Sequence, residues 1–156
     1  MRYHSTMARR FFTLDVFARE PLAGNPLAVV IDADGLDDAR MQAIAREFNL
    51  SETVFVLPAR NPVNTARVRI FTPTMELPFA GHPTVGTAVL LASLRAPELA
   101  GSRDLGVVLE EQVGDVNCTV RLEKRGAAFA YFDLPRLPEK IGDADARALA
   151  EALSLE

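Results

Sequence analysis

The stretch "ELPFAGHPTVGTAVLLASL", Glu76 to Leu94, decides how the rest of the chain is to be read. From Pro83 onward it is apolar almost all round, so a helix here has no polar face to give to water and must be covered on every side. The remaining segments supply the cover. "FFTLDVFA" (Phe11 to Ala18) and "PLAVVI" (Pro26 to Ile31) read as adjacent strands joined through "REPLAGN", with Gly24, Asn25 and Pro26 as a turn cluster. "ETVFVL" (Glu52 to Leu57) is rich in β-branched and aromatic residues, and "ARVRIFT" (Ala66 to Thr72) alternates Val68 and Ile70 with Arg67 and Arg69, so both are strands. Beyond the apolar helix come "LGVVLEE", "VNCTVRLEK" and "AAFAYFDLP", divided by "QVGD" and "RGA" in the pattern of an antiparallel meander.

Two further helices are expected. In "GLDDARMQAIAREFNL", Met41, Ile44, Ala45 and Phe48 draw one apolar stripe, with Asp37 and Asp38 near the start as the helix dipole favours. After the Pro-rich connector "LPRLPEKIGD", the segment "GDADARALAEALSL" begins another helix, with Asp143 as N-cap and Leu149, Ala152 and Leu153 facing inward. The fold class is therefore α+β, a curved and mostly antiparallel sheet wrapped around a buried central helix.

The bulk properties bound the function. A chain of 156 residues, 49% hydrophobic and 24% charged, is expected to form one soluble domain. A net charge of -4 without a basic stripe offers nothing to nucleic acid or to an anionic membrane surface. No run approaches the roughly 20 apolar residues of a membrane span, so a cytoplasmic protein is expected. Cys118 is the single cysteine, which rules out an internal disulfide framework, and it sits in an alternating stretch as a buried small residue would. Of the two histidines, His4 lies in residues 1–10, read as a leader or tag-like segment, so a metal site built on His and Cys is not expected.

The helix entrance carries the first candidate site. Pro83 fits the first helical position, where its missing N–H is no loss, and it drives His82 into an extended conformation at or next to the N-cap. The N–H groups of Thr84 and Val85 then lack acceptors within the helix, and the macrodipole adds about half a positive charge. Gly81 and Ala80 leave the approach open, so a ligand carboxylate would reach the backbone donors. The plainer reading makes Gly81 a tight turn, Pro83 an ordinary helix starter and His82 a backbone cap.

Glu52 is the second candidate. In "FNLSETVF" it opens an otherwise apolar strand after a helix, so it belongs at the rim of the sheet among Leu50, Val54 and Phe55, where a carboxyl is suited to general acid/base work. The plainer reading has Ser51 as a cap and Glu52 as a solvated strand end. No G-x-S-x-G, Walker A loop, C-x-x-C or G-x-G-x-x-G occurs, which leaves serine nucleophiles, nucleotide hydrolysis and dinucleotide binding without support.

Three segments in order, "LDVFAREPLAGNPLAVV", "IAREFNLSETVFV" and "RIFTPTMELPFAGHPTVGTA", closely resemble the amino-terminal half of the PhzF family of phenazine-biosynthesis isomerases. The resemblance runs from about Phe11 to Pro135, and it implies the fold of diaminopimelate epimerase. It further implies two pseudo-symmetric halves, each a curved sheet around a helix, with the active site between them. By that resemblance Glu52 is the proton-shuttling acid/base and His82 assists proton transfer or orients substrate. Gly81, Pro83 and Thr84, with Ser51, help to hold a substrate carboxylate.

The family's type reaction is a cofactor-free isomerisation of a dihydro-hydroxyanthranilate, which implies no cofactor, no metal and a small-molecule carboxylate substrate. No motif cysteine matches the pair of diaminopimelate epimerase, which makes an amino-acid epimerase the weaker reading. Residues 11–156 would form a single PhzF-like amino-terminal domain. The Gly-rich, Asp-containing loop of the family's second half is not among these residues, so the chain is either a fragment or a natural half-length protein. In the latter case the apolar face left for the other half is expected to drive homodimerisation. The alternative to catalysis is a half-domain that binds a small carboxylate, or only self-associates, without turnover.

Overall fold

The computed structural model describes residues 8–124, 127–137, 139 and 142–154. His4 and most of the supposed leader lie outside these residues, while Arg10 continues the first strand pairing by accepting a bond from the Ile31 N–H at 3.0 Å. Among the described residues, eight strands and three α-helices follow in the order β1 (Phe11–Val16), β2 (Asn25–Val30), α1 (Asp38–Phe48), β3 (Glu52–Leu57), β4 (Ala66–Phe71), β5 (Glu76–Leu77), α2 (Gly81–Arg95), β6 (Leu105–Glu111), β7 (Gly114–Leu122), β8 (Ala128–Phe132) and α3 (Ala146–Ala152).

They form one sheet in the order β1-β2-β3-β4-β6-β7-β8, with the two-residue β5 pairing to β4. The β2/β3 and β4/β6 pairs are parallel and the others antiparallel, so the sheet is mostly antiparallel, as expected. The parallel pairs arise where a helix intervenes: α1 crosses between β2 and β3, and α2 between β4 and β6, because only a crossover returns the chain in the same direction. The meander of β6, β7 and β8 forms as read, with Glu111 opposite Gly114 across a two-residue turn.

Helix α2 packs against β1, β2, β3, β6, β7 and β8, which is what its lack of a polar face demanded. The main core joins Leu90 and Leu91 of the helix to Leu27, Val29, Val54, Ile70, Leu109, Val116 and Val120 of the strands. Gly86 is the point of closest approach: a Cβ there would lie 2.7 Å from Val16 Cγ2 and 2.8 Å from Leu27 Cδ2. The outer face of β2, β3 and β4 is covered by α1, whose Met41 and Ala45 pack with Val30, Phe55, Leu57 and Phe71. Burial on both faces explains why β2 and β3 read as continuous apolar runs.

Two expectations for the last helix are corrected. Its N-cap is Asp145, not Asp143: the Asp145 carboxylate accepts from the N–H groups of Arg147 and Ala148, a reach available only from the residue just before the helix. Leu149, Ala152 and Leu153 do not face inward. All three are exposed, Leu149 by 50% and Leu153 by 67%, since α3 follows the Pro-rich connector and packs closely against none of the described strands or helices.

Candidate active site

Three element starts converge at one rim of the sheet. The parallel pairing of β2 and β3 sets Leu27 opposite Glu52, so Asn25 and Glu52, the first residues of the two strands, lie at the same edge. Each is delivered by local chemistry. Before β2, the Asp15 carboxylate accepts from the N–H groups of Ala23 (3.0 Å) and Gly24 (2.9 Å), folding the loop back onto β1. Only glycine fits at position 24, since a Cβ would come within 2.3 Å of the Val16 carbonyl oxygen. Before β3, Asn49 ends α1 in the left-handed conformation (φ 51°), its N–H bonded to the Ala45 carbonyl, and the chain turns through Leu50 and Ser51 into Glu52. Ser51 itself is exposed.

The entrance of α2 meets this rim. His82 Nε2 lies 3.3 Å from Glu52 Oε2, with the two side chains only 9% and 17% exposed. Neither atom has an aligned hydrogen bond, so the contact is a close approach of two proton-carrying groups rather than a locked pair. On the other side of the ring Asn25 Nδ2 sits 3.2 Å from His82 Nδ1. An amide nitrogen only donates, so Nδ1 accepts, and the proton of the neutral imidazole resides on Nε2, facing Glu52. The Nε2–H therefore faces the Glu52 carboxylate as a hydrogen-bond donor within a small rotation of alignment, and Asn25 fixes the tautomer that presents it.

The helix begins differently from the sequence expectation. Ala80 is the N-cap, in an extended conformation, Gly81 is the first helical residue, His82 is helical rather than extended, and Pro83 occupies the third position. Proline is tolerated there because none of the first helical residues uses its own N–H within the helix, and the residue four before Pro83 precedes the helix. His82 takes the helical conformation despite the restriction that the following proline places on it, with its ring beside Asn25 and Glu52. The Thr84 N–H is not free: it bonds to the Ala80 carbonyl at 3.2 Å. The first-turn donors left without a helical partner are therefore Gly81 and His82, three residues earlier than the Thr84 and Val85 expected. A Cβ at Gly81 would meet only Phe132 Cζ, at 3.9 Å, so the approach is open. Phe132 stacks edge-on against Phe79, ring centres 5.5 Å apart, as an apolar wall beside it.

Beneath the entrance lies a group that the sequence did not single out. The buried Thr84 Oγ1 is 2.8 Å from the Ala80 carbonyl oxygen and 2.7 Å from Glu111 Oε1. Burial pushes the Glu111 carboxyl up to about 7, against the opposing effect of the Thr84 hydroxyl. Cys118 is buried as expected, and burial pushes its thiol up to about 12, too high for a thiolate nucleophile at neutral pH. Asn25, read as part of a turn, is instead the first residue of β2 and reaches His82. Its signal is an Asn-Pro pair opening an apolar strand, the same grammar that made Glu52 stand out. Among the described residues no cluster of three His, Cys, Asp or Glu side chains could hold a metal ion, and no helix is long and apolar enough to cross a membrane.

The sequence model of the family described as phenazine biosynthesis-like protein, PhzC-PhzF, matches residues 14–156. The chain belongs to this family. The match continues past Pro135, where the motif resemblance ended. This PhzC-PhzF chain is 58% identical over 149 residues to an uncharacterized isomerase of Mesorhizobium japonicum, covering 94% of the chain and 47% of that relative. It is 45% identical over 125 residues to the trans-2,3-dihydro-3-hydroxyanthranilate isomerase of Pseudomonas fluorescens, covering 80% of the chain and 42% of the relative. A solved structure described as a predicted epimerase from Pseudomonas aeruginosa superposes with a TM-score of 0.70 at 44% identity, over 79% of this chain and 42% of that one. The chain thus spans somewhat less than half the length of the relatives it matches.

Proposed function

We propose that the protein acts as a PhzF-type isomerase, independent of any cofactor, that moves a proton on a small cyclic or amino-acid-like carboxylate. The observation that carries this reading is the 3.3 Å approach of Glu52 to His82 at the mouth of α2. Glu52 as carboxylate takes a proton from a substrate carbon, and as carboxylic acid returns it at another position, so the cycle closes without net gain or loss of protons. His82, held by Asn25 with its Nε2–H toward Glu52, assists that transfer as a hydrogen-bond donor or orients the substrate. The substrate carboxylate is received by the Gly81 and His82 N–H groups at the positive end of the helix, with Pro83 and Thr84 shaping the turn and Ser51 at the rim. The Pseudomonas fluorescens relative acts on trans-2,3-dihydro-3-hydroxyanthranilate, which makes that compound the first substrate to assay.

The test is Glu52→Gln, which keeps shape and removes the acid/base. General acid/base catalysis is worth about 10²–10⁴-fold, so kcat is expected to fall by at least about a hundredfold while the fold and carboxylate binding persist. Undiminished turnover by the variant would overturn the assignment. Carboxylate binding without turnover by either form would favour the non-catalytic half-domain.

We also propose that the surface around β8 is covered by a second copy of the chain. β8 is an edge strand, and Phe129, Tyr131 and Leu134 beside it are more than half exposed, which supports a homodimer.

A further inference from the structure

The contacts of Thr84 carry an inference about Glu111, one that rests on the isomerase reading of the site. Thr84 Oγ1 makes two short oxygen contacts, 2.8 Å to the Ala80 carbonyl and 2.7 Å to Glu111 Oε1. Both are the usual length of an O–H···O bond, and the single hydrogen of a hydroxyl lies along only one of two such short contacts. Two contacts therefore need two protons. The threonine hydroxyl supplies one, the carbonyl has none, and the second must come from Glu111.

We propose that Glu111, held as the neutral acid, is a positioning residue that fixes the entrance of α2: its O–H donates to Thr84 Oγ1, which donates in turn to the Ala80 carbonyl. The relay clamps the Ala80 peptide, and the next two residues in the chain are Gly81 and His82, whose N–H groups and ring face the substrate. Three further observations agree. Glu111 is only 9% exposed, and no ion pair or cation contact to it is found among the described residues. Its Oε2 is buried without a hydrogen-bond partner, a condition far less costly for the carbonyl oxygen of an acid than for a charged carboxylate oxygen. The position is also mechanically firm, since Glu111 closes the two-residue turn of the β6/β7 hairpin opposite Gly114 and reaches the helix from its buried side.

The test compares Glu111→Gln, Glu111→Ala and Thr84→Val, reading kcat, KM and the backbone amide resonances of Gly81 and His82 in the free protein. Gln is neutral and donates from nearly the same place, so E111Q is expected to keep the wild-type amide positions and kcat within about twofold. E111A and T84V break the relay. Each should displace both amide resonances and lower kcat by about tenfold, the effect of one lost hydrogen bond, with the chain still folded in the nearly isosteric T84V. If E111Q falls as far as E111A, the ionised carboxylate is the acting form and the proposal is wrong. Unmoved resonances in both T84V and E111A would overturn it equally. Should the wild type and E52Q both fail to turn over substrate, the isomerase reading falls, while the amide resonances still decide the clamp.

Discussion

Glu110 and Glu111 are adjacent in sequence and opposite in fate, because successive residues of a strand point to opposite faces. Glu110 turns outward to a loop whose backbone N–H groups at Arg60 and Asn61, with the Asn64 amide, hold its carboxyl below the ordinary range. Glu111 turns inward under α2, and burial raises it from 4.5 to about 7. The consequence for stability has a definite sign. Between these two values the folded state keeps a proton that the unfolded chain has released, so unfolding free energy falls as pH rises. Glu111 therefore costs no stability below about pH 4.5, and the loss is complete above about pH 7. At 1.36 kcal/mol per pH unit it amounts to roughly 3 kcal/mol at most. Urea unfolding of the wild type and E111Q at several pH values isolates this from the other carboxylates: the Gln variant should gain relative to wild type from pH 4.5 to 7 and then run parallel. A difference that stays constant across that range would show that Glu111 titrates normally.

At the scale of elements, the helix that reads most clearly in the sequence is also the one with least freedom in the fold. Gly86 illustrates this. In an isolated helix, Gly to Ala is favourable by about 1 kcal/mol. Here the added Cβ would intrude on Val16 and Leu27 at 2.7 and 2.8 Å, in a core where overpacking typically costs about 1–3 kcal/mol. Gly86→Ala is therefore expected to lower the thermal midpoint despite its better helix propensity, with β1 and β2 most affected in amide exchange. A raised midpoint would mean that β1 can retreat from the helix. The apolar periods of α1, α2 and the meander were legible because each element carries its own pattern. The two-residue β5 was not, since Glu76 and Leu77 are too few to show any period; it exists because Arg69 on β4 ion-pairs with Glu76 and Leu77 packs against the main core. The last helix was placed correctly but faced wrongly, since an apolar stripe shows that a helix is amphipathic without naming what covers it.

For the whole molecule, the proposed homodimer rests on the exposed apolar residues on and beside β8 and on the exposed stripe of α3. Light scattering on the purified chain, with its intact mass, should give a particle of two chains; a stable monomer at micromolar concentration would remove the homodimer. The sequence by itself determined the α+β class, the buried central helix, the family, and Glu52 and His82 as the residues to watch, because those rest on periodicities and motifs local to the chain. Only the tertiary structure decided that Asn25 orients His82, that the helix starts at Gly81 with Pro83 in its third position, and that Glu111 lies under its first turn. The physical reason is the same in each case. These contacts join residues 27 to 57 positions apart, and they form because a parallel strand pair, a helix crossover and a hairpin turn bring them together.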